Sequence, residues 1–172
     1  ILGATLGVIL NMGICRIPEG KPIIRFSLQL DSIKMKITFR FILVEILTAS
    51  MFLLLFYRYG ITADFIAFAY LMSLLIMVFF IDIDHRIVPD GLVIAGLLGS
   101  IPVFLYNIIN PFRIYGDNKW WNPLAGILPG AGFLFLIVIA GLLLYKTDDA
   151  MGMGDVKIFV PIGIFLGWRM CT

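Results

Sequence analysis

Aspartate is the residue through which this sequence can do chemistry. Three aspartates crowd into the stretch Asp82-Ile83-Asp84-His85-Arg86-Ile87-Val88-Pro89-Asp90, and another, Asp155, closes the motif Gly152-Met153-Gly154-Asp155. Both stretches adjoin long apolar runs. Acids at the edge of a membrane are costly and tend to be functional. Two carboxylates brought face to face support one mechanism in particular. Like charges about 3 Å apart cannot both ionise easily, so the pair shares a proton. The ionised member can take a proton from water, while the protonated member polarises a scissile carbonyl. This is aspartic proteolysis, and it requires neither metal nor histidine.

The acids do not all fit that role equally. Asp82 follows directly on an uncharged apolar run and continues its helix. Asp84 reads as a water-facing loop charge, and Asp90 as the cap of a helix opening at Gly91. Asp155 opens the last apolar run. Gly152 and Gly154 strip side chains from its approach, which permits close backbone contact and unusual φ/ψ. An extended segment can dock against such a backbone. Asp148 and Asp149 read as loop charges. A single Gly-x-Gly-Asp is a weak pattern in a chain with 17 glycines. A second aspartate at the same membrane face strengthens it, and Asp82 and Asp155 are the pair selected.

Three further residues are weighed as supporting groups. Glu45 lies about one turn into an apolar helix. It is either an interfacial charge paired with Arg40 or another basic residue, or a substrate or cofactor contact. Lys157 either snorkels to the interface or tunes Asp155 electrostatically. His85 reads as a loop residue. Cys15 and Cys171 lie far apart and form no CxxC pair, and His85 is the single histidine, so no metal site and no zinc are expected.

Such acids need a membrane scaffold to position them, and the composition supplies one. Of the 172 residues, 61% are hydrophobic and 14% charged, against roughly 25% charged in an average soluble chain. The mean hydropathy is +1.04. These values exclude a soluble globular protein, a disordered tail and a nucleic-acid binder. A membrane helix needs about 20 apolar residues. Four segments qualify: Phe41–Tyr57, Phe65–Ile81, Gly91–Ile109 and Pro123–Tyr145. Shorter runs, Ile1–Ile14 and Ile158–Trp168, flank them. The expected fold is therefore all-α, a single polytopic membrane domain over 1–172 with six spans, four of them complete. No signal peptide is expected, and the chain reads as cut at both ends.

Orientation follows from the basic residues. Arg16, Lys21, Arg25, Lys34, Lys36 and Arg40 fall in the loop Cys15–Arg40, and Arg86, Lys146 and Lys157 fall on the same side. Arg58, Arg113, Lys119 and Arg169 fall on the other. The first group belongs in the cytoplasm, together with both aspartate stretches. Tyr115, Trp120 and Trp121 suit an aromatic belt at the far interface. Gly126, Gly130 and Gly141 read first as ordinary membrane-helix composition, and second as marks of close helix contacts.

With these pieces in order, the chain resembles the bacterial type IV prepilin peptidases, membrane aspartic proteases of the GxGD type. LGVILNMGICRIPEG, with Asn11 and Arg16, is similar to the family's first helix and its exit; KITFRFILVEILTA, with Glu45, is similar to the entry into the second. In FIDIDHRIVPD the resemblance maps the first catalytic aspartate to Asp82, and in GMGDVK it maps the second to Asp155. It implies an endopeptidase in the bacterial inner membrane, with its active site facing the cytoplasm. The implied substrates are prepilins or pseudopilins, cut after a Gly behind a short basic leader, for type IV pili, type II secretion or competence. It further implies N-methylation of the new terminus with S-adenosylmethionine in many members. Many members also carry two CxxC pairs in the first cytoplasmic loop as a zinc element. The short loop 15–40 here has no such pair, which separates zinc from the expected proteolysis. The competing readings are an ion-coupled transporter that uses membrane-edge aspartates, and a non-enzymatic membrane scaffold. The transporter fits less well because the acids lie at one face and no repeat is seen. The scaffold leaves the two aspartate stretches unexplained.

Overall fold

The computed structural model describes residues 2–18, 39–110, 119–145 and 153–171. The described residues form helices: α1 (Leu2–Arg16), α2 (Phe39–Tyr59), α3 (Ala63–His85), α4 (Asp90–Ile109), the short α5 (Asn122–Ala125), α6 (Phe133–Tyr145) and α7 (Met153–Cys171). Four stretches are long and apolar enough to cross a bilayer: Phe39–Tyr59, Ala63–His85, Asp90–Ile109 and Asn122–Gly141. Thr5–Arg16 is apolar but shorter. The protein is thus an all-α, multi-pass membrane protein, since only helices or closed barrels satisfy backbone groups in lipid.

Local chemistry sets the helix ends. The Thr62 hydroxyl accepts a hydrogen bond from the Phe65 N–H at 3.4 Å and opens α3. Arg86, in the left-handed region at φ 54°, closes it, its N–H donating to the Asp82 carbonyl. Pro89, which has no N–H, stands immediately before α4. In the fourth apolar stretch Pro129 breaks the α-helical register, and Leu128–Gly132 form one π-helical turn before α6.

Three expectations change. The aspartate hairpin is shorter than its sequence suggests, because α3 runs on to His85 and places Asp82 and Asp84 in its last turn. Asp90 lies inside the first turn of α4 instead of capping it; Pro89 holds the cap position and offers no side-chain acceptor. The final apolar run Ile158–Trp168 is part of a longer helix that begins at Met153 and kinks at Gly167 (φ 70°). Most of loop 15–40, Tyr115, Asp148, Asp149 and Gly152 lie outside the described residues.

Lipid is as apolar as the side chains, so small residues and close backbone contact do much of the packing. Gly3 and Gly7 let α1 lie on α2: a Cβ at Gly3 would stand 2.9 Å from the Ala49 Cα, and one at Gly7 3.0 Å from the Glu45 Cα. Gly96 of α4 accommodates Pro161 of α7. The buried core has two parts. Nearer the aspartates, Leu10, Ile14, Val44, Met77, Ile81, Leu92 and Ile158 join α1, α2, α3, α4 and α7. Toward the opposite end, Ala67, Phe68, Leu71, Val103 and Phe165 join α3, α4 and α7.

Candidate active site

The end of α1, the start of α2, the end of α3, the start of α4 and the start of α7 meet at one end of the bundle. Side-chain contacts establish this directly. Arg40, in the first turn of α2, forms an ion pair with Asp84 of α3 and donates to the Cys15 Sγ of α1 at 3.3 Å. Lys157 of α7 donates to Asp90 of α4 at 2.8 Å. Val88, between α3 and α4, lies against Gly154 of α7, where a Cβ would stand 3.0 Å from the Val88 Cβ. The two aspartate stretches, distant in sequence, therefore share one surface.

Within that surface the four aspartates occupy two kinds of setting. Asp84 and Asp90 are each bound to a cation. Asp82 is exposed and Asp155 half-buried, and neither has an ion-pair partner among the described residues. Asp155 sits in the first turn of α7, where the helix dipole favours an anion. Asp82 and Asp84 are two positions apart, a rotation of about 200° around the helix. The side of α3 that meets Arg40 is therefore not the side that carries Asp82.

Gly154 is used for close approach. It lies within α7, and the only positive-φ glycines among the described residues are Gly60 and Gly167. Lys157 pairs with Asp90, not with Asp155. Glu45 packs against Gly7, and the cation expected beside it, Arg40, is engaged by Asp84. Asn11, almost fully buried, donates to the Phe41 carbonyl at 3.3 Å and ties α1 to α2. Among the described residues no three His, Cys, Asp or Glu side chains are grouped as metal ligands.

Sequence reasoning missed the Arg40–Asp84 pair and the Val88–Gly154 contact. The first had a legible signal. Arg40 puts a cation at a helix start and Asp84 an anion at a helix end, each opposite to the dipole preference. Two such misplacements compensate when they meet.

Comparison with known proteins gives the family. The model of the type IV leader peptidase family matches residues 69–172, which include both Asp82 and Asp155. A prepilin leader peptidase/N-methyltransferase of Bacillus subtilis (strain 168) is 33% identical over 152 residues, covering 87% of this chain and 56% of the relative. One of Myxococcus xanthus (strain DK1622) is 26% identical over 194 residues, covering 98% and 55%. A type 4 prepilin-like proteins leader peptide-processing enzyme of Escherichia coli O78:H11 is 33% identical, covering 77% and 46%. The chain spans about half the length of these relatives. No solved structure matches it.

Proposed function

The chain belongs to the type IV leader peptidase family, and from that premise we propose that it is a membrane aspartic endopeptidase that removes the leader of prepilins or pseudopilins. Asp82 and Asp155 are its two carboxylates. The observation that carries this reading is the contact between Val88 and Gly154, which brings the segment after Asp82 onto the turn that bears Asp155. Of the four aspartates at this end, the two without an ion pair among the described residues are also the two that the family resemblance selects.

In this reading the substrate lies extended across the end of the bundle. We assign the ionised role to Asp155, at the positive end of the α7 dipole. Its carboxylate takes a proton from water as the water oxygen attacks the scissile carbonyl carbon. Asp82, carrying the shared proton, donates a hydrogen bond to the carbonyl oxygen. The tetrahedral intermediate then collapses as a proton passes to the leaving amine. Gly154 keeps side chains away from the approach, and Val88 closes one wall. Arg16, Arg40, Arg86 and Lys157 gather at this end, which supports a cytoplasmic site by the positive-inside tendency.

The names of the relatives include N-methyltransferase activity. In this chain the contacts of Asn11 and Glu45 are helix packing, against Phe41 and Gly7.

The test is incubation of the protein in detergent with a prepilin, read by gel shift and by the N-terminus of the product. The wild type is expected to cut after the leader, and Asp82→Asn and Asp155→Asn to lose at least about 100-fold, the lower range for an essential acid or base. A transporter leaves the prepilin intact. Undiminished cleavage in either variant overturns the assignment of that residue.

A further inference from the structure

We propose that Arg40 is a positioning residue that sets the rotation of the last turn of α3 and thereby aims Asp82; this rests on the reading of Asp82 as a catalytic carboxylate. Arg40 links three helices at this end. It belongs to α2, pairs with Asp84 of α3 and donates to Cys15 of α1. Its guanidinium also lies over the Phe41 ring, 5.5 Å from the centroid, which restricts its own freedom. The pair is only partly exposed, at 27% for Arg40 and 28% for Asp84. It is therefore less open to screening than a surface pair.

Charge placement argues against a role in helix stability alone. A cation in the first turn of α2 and an anion in the last turn of α3 both oppose their helix dipoles. Exchanging the two residues would suit each helix better. The existing arrangement does something else: it anchors a specific position, 84, to α1 and α2. Asp82 lies about 200° away on the same turn and is carried to the opposite side. That turn is short of other restraints. Asp82, Ile83 and His85 are exposed, and the left-handed Arg86 ends the helix directly after them. Without Arg40 the turn is free to rotate or fray, and Asp82 moves with it.

The experiment is steady-state cleavage of a prepilin by four proteins at equal membrane level: wild type, Arg40→Gln, Asp84→Arg, and Arg40→Asp with Asp84→Arg. A misaimed catalytic group lowers kcat while leaving substrate binding intact. Arg40→Gln and Asp84→Arg are each expected to lower kcat about 10- to 100-fold, with KM changed by less than about threefold. The exchanged pair is expected to restore kcat to within about threefold of wild type, because it rebuilds the link between the same two positions. Arg40→Gln with kcat within about threefold of wild type overturns the proposal, as does an exchanged pair no better than Asp84→Arg alone. A loss seen only in KM also overturns it and makes Arg40 a substrate contact. If the wild type itself does not cleave, the peptidase reading fails. In that case the pair is still judged by trypsin cleavage at Arg86, which Arg40→Gln is expected to accelerate and the exchange to reverse; no acceleration overturns the anchor.

Discussion

The two ends of α7 are held in different ways. At the end away from the aspartates the contact is backbone on backbone. A Cβ at Gly163 would lie 2.9 Å from the Gly126 carbonyl carbon and 3.0 Å from the Ile127 Cα, and Gly130 lies against Gly163 in turn. There the helix kinks at Gly167, and the freed Trp168 N–H donates to the buried Asn122 side chain at 2.9 Å. At the aspartate end the hold is by side chains: Val88 lies against Gly154, Ile158 packs into the buried core, and Lys157 pairs with Asp90, their side chains 51% and 73% exposed. The first joint has no room to adjust. The second can give by some tenths of an ångström, which suits the proposed docking of an extended peptide at this helix start.

The contrast can be broken most severely at the rigid joint. Gly163→Val drives side-chain carbons into the backbone of Gly126 and Ile127, and neither can retreat. Loss of folded protein from the membrane is expected, measured by detergent-extractable monomer. Near-normal yield would show that the joint is looser than its spacing.

Gly154 gives a smaller and graded effect. Alanine places a carbon in tight contact with the Val88 side chain, and valine adds two more. Folded protein is expected in both cases. Cleavage should fall roughly two- to tenfold for Gly154→Ala and further for Gly154→Val, in line with a mildly overpacked contact. Val88→Ala should relieve the alanine variant; cleavage rates of the single and double variants check this. No relief would mean that Gly154 serves the substrate directly and not the α3–α4 corner.

Lys157→Gln tests the ion pair. An exposed pair contributes about 1 kcal/mol or less, so thermal stability in detergent should barely move and cleavage should stay within about fivefold. Asp84→Asn is expected to be milder still, since its amide oxygen continues to accept from Arg40. Severe loss in Asp84→Asn with normal Asp82→Asn would move the catalytic assignment within α3. Chelators should change cleavage least of all: the chemistry assigned to Asp82 and Asp155 uses no metal, and a cleavage rate that falls with chelator would contradict that.

Much of the fold was legible because run length alone marks a membrane helix. Phe41–Tyr57 and Phe65–Ile81 lie within α2 and α3, which extend them by a few residues at each end. The grouping of both aspartate stretches at one end was legible too, since helices that alternate in direction return every second loop to the same side. Helix ends were less so. Asp90 has the residue type of a cap, but Pro89 occupies the cap position and Asp90 turns to Lys157. Long-range pairing was the least legible. Arg40 and Asp84 are 44 residues apart, and Lys157 and Asp90 are 67 apart. Sequence patterns report one helix at a time, whereas these partners are set by how helices pack. Gly126 and Gly130 read first as ordinary membrane-helix composition, yet they stand at close contacts, and their partner Gly163 could be identified only in the fold.

The most direct test of the account is whether Asp82 and Asp155 converge. In a chain with Cys15→Ser and Cys171→Ser, Asp82→Cys and Asp155→Cys can be treated in membranes with a short thiol-bridging reagent. The control is Asp90→Cys with Lys157→Cys, whose parent side chains touch at 2.8 Å. The account predicts that the 82–155 pair bridges as readily as the control. A control that bridges while 82 and 155 do not would contradict a shared two-aspartate site.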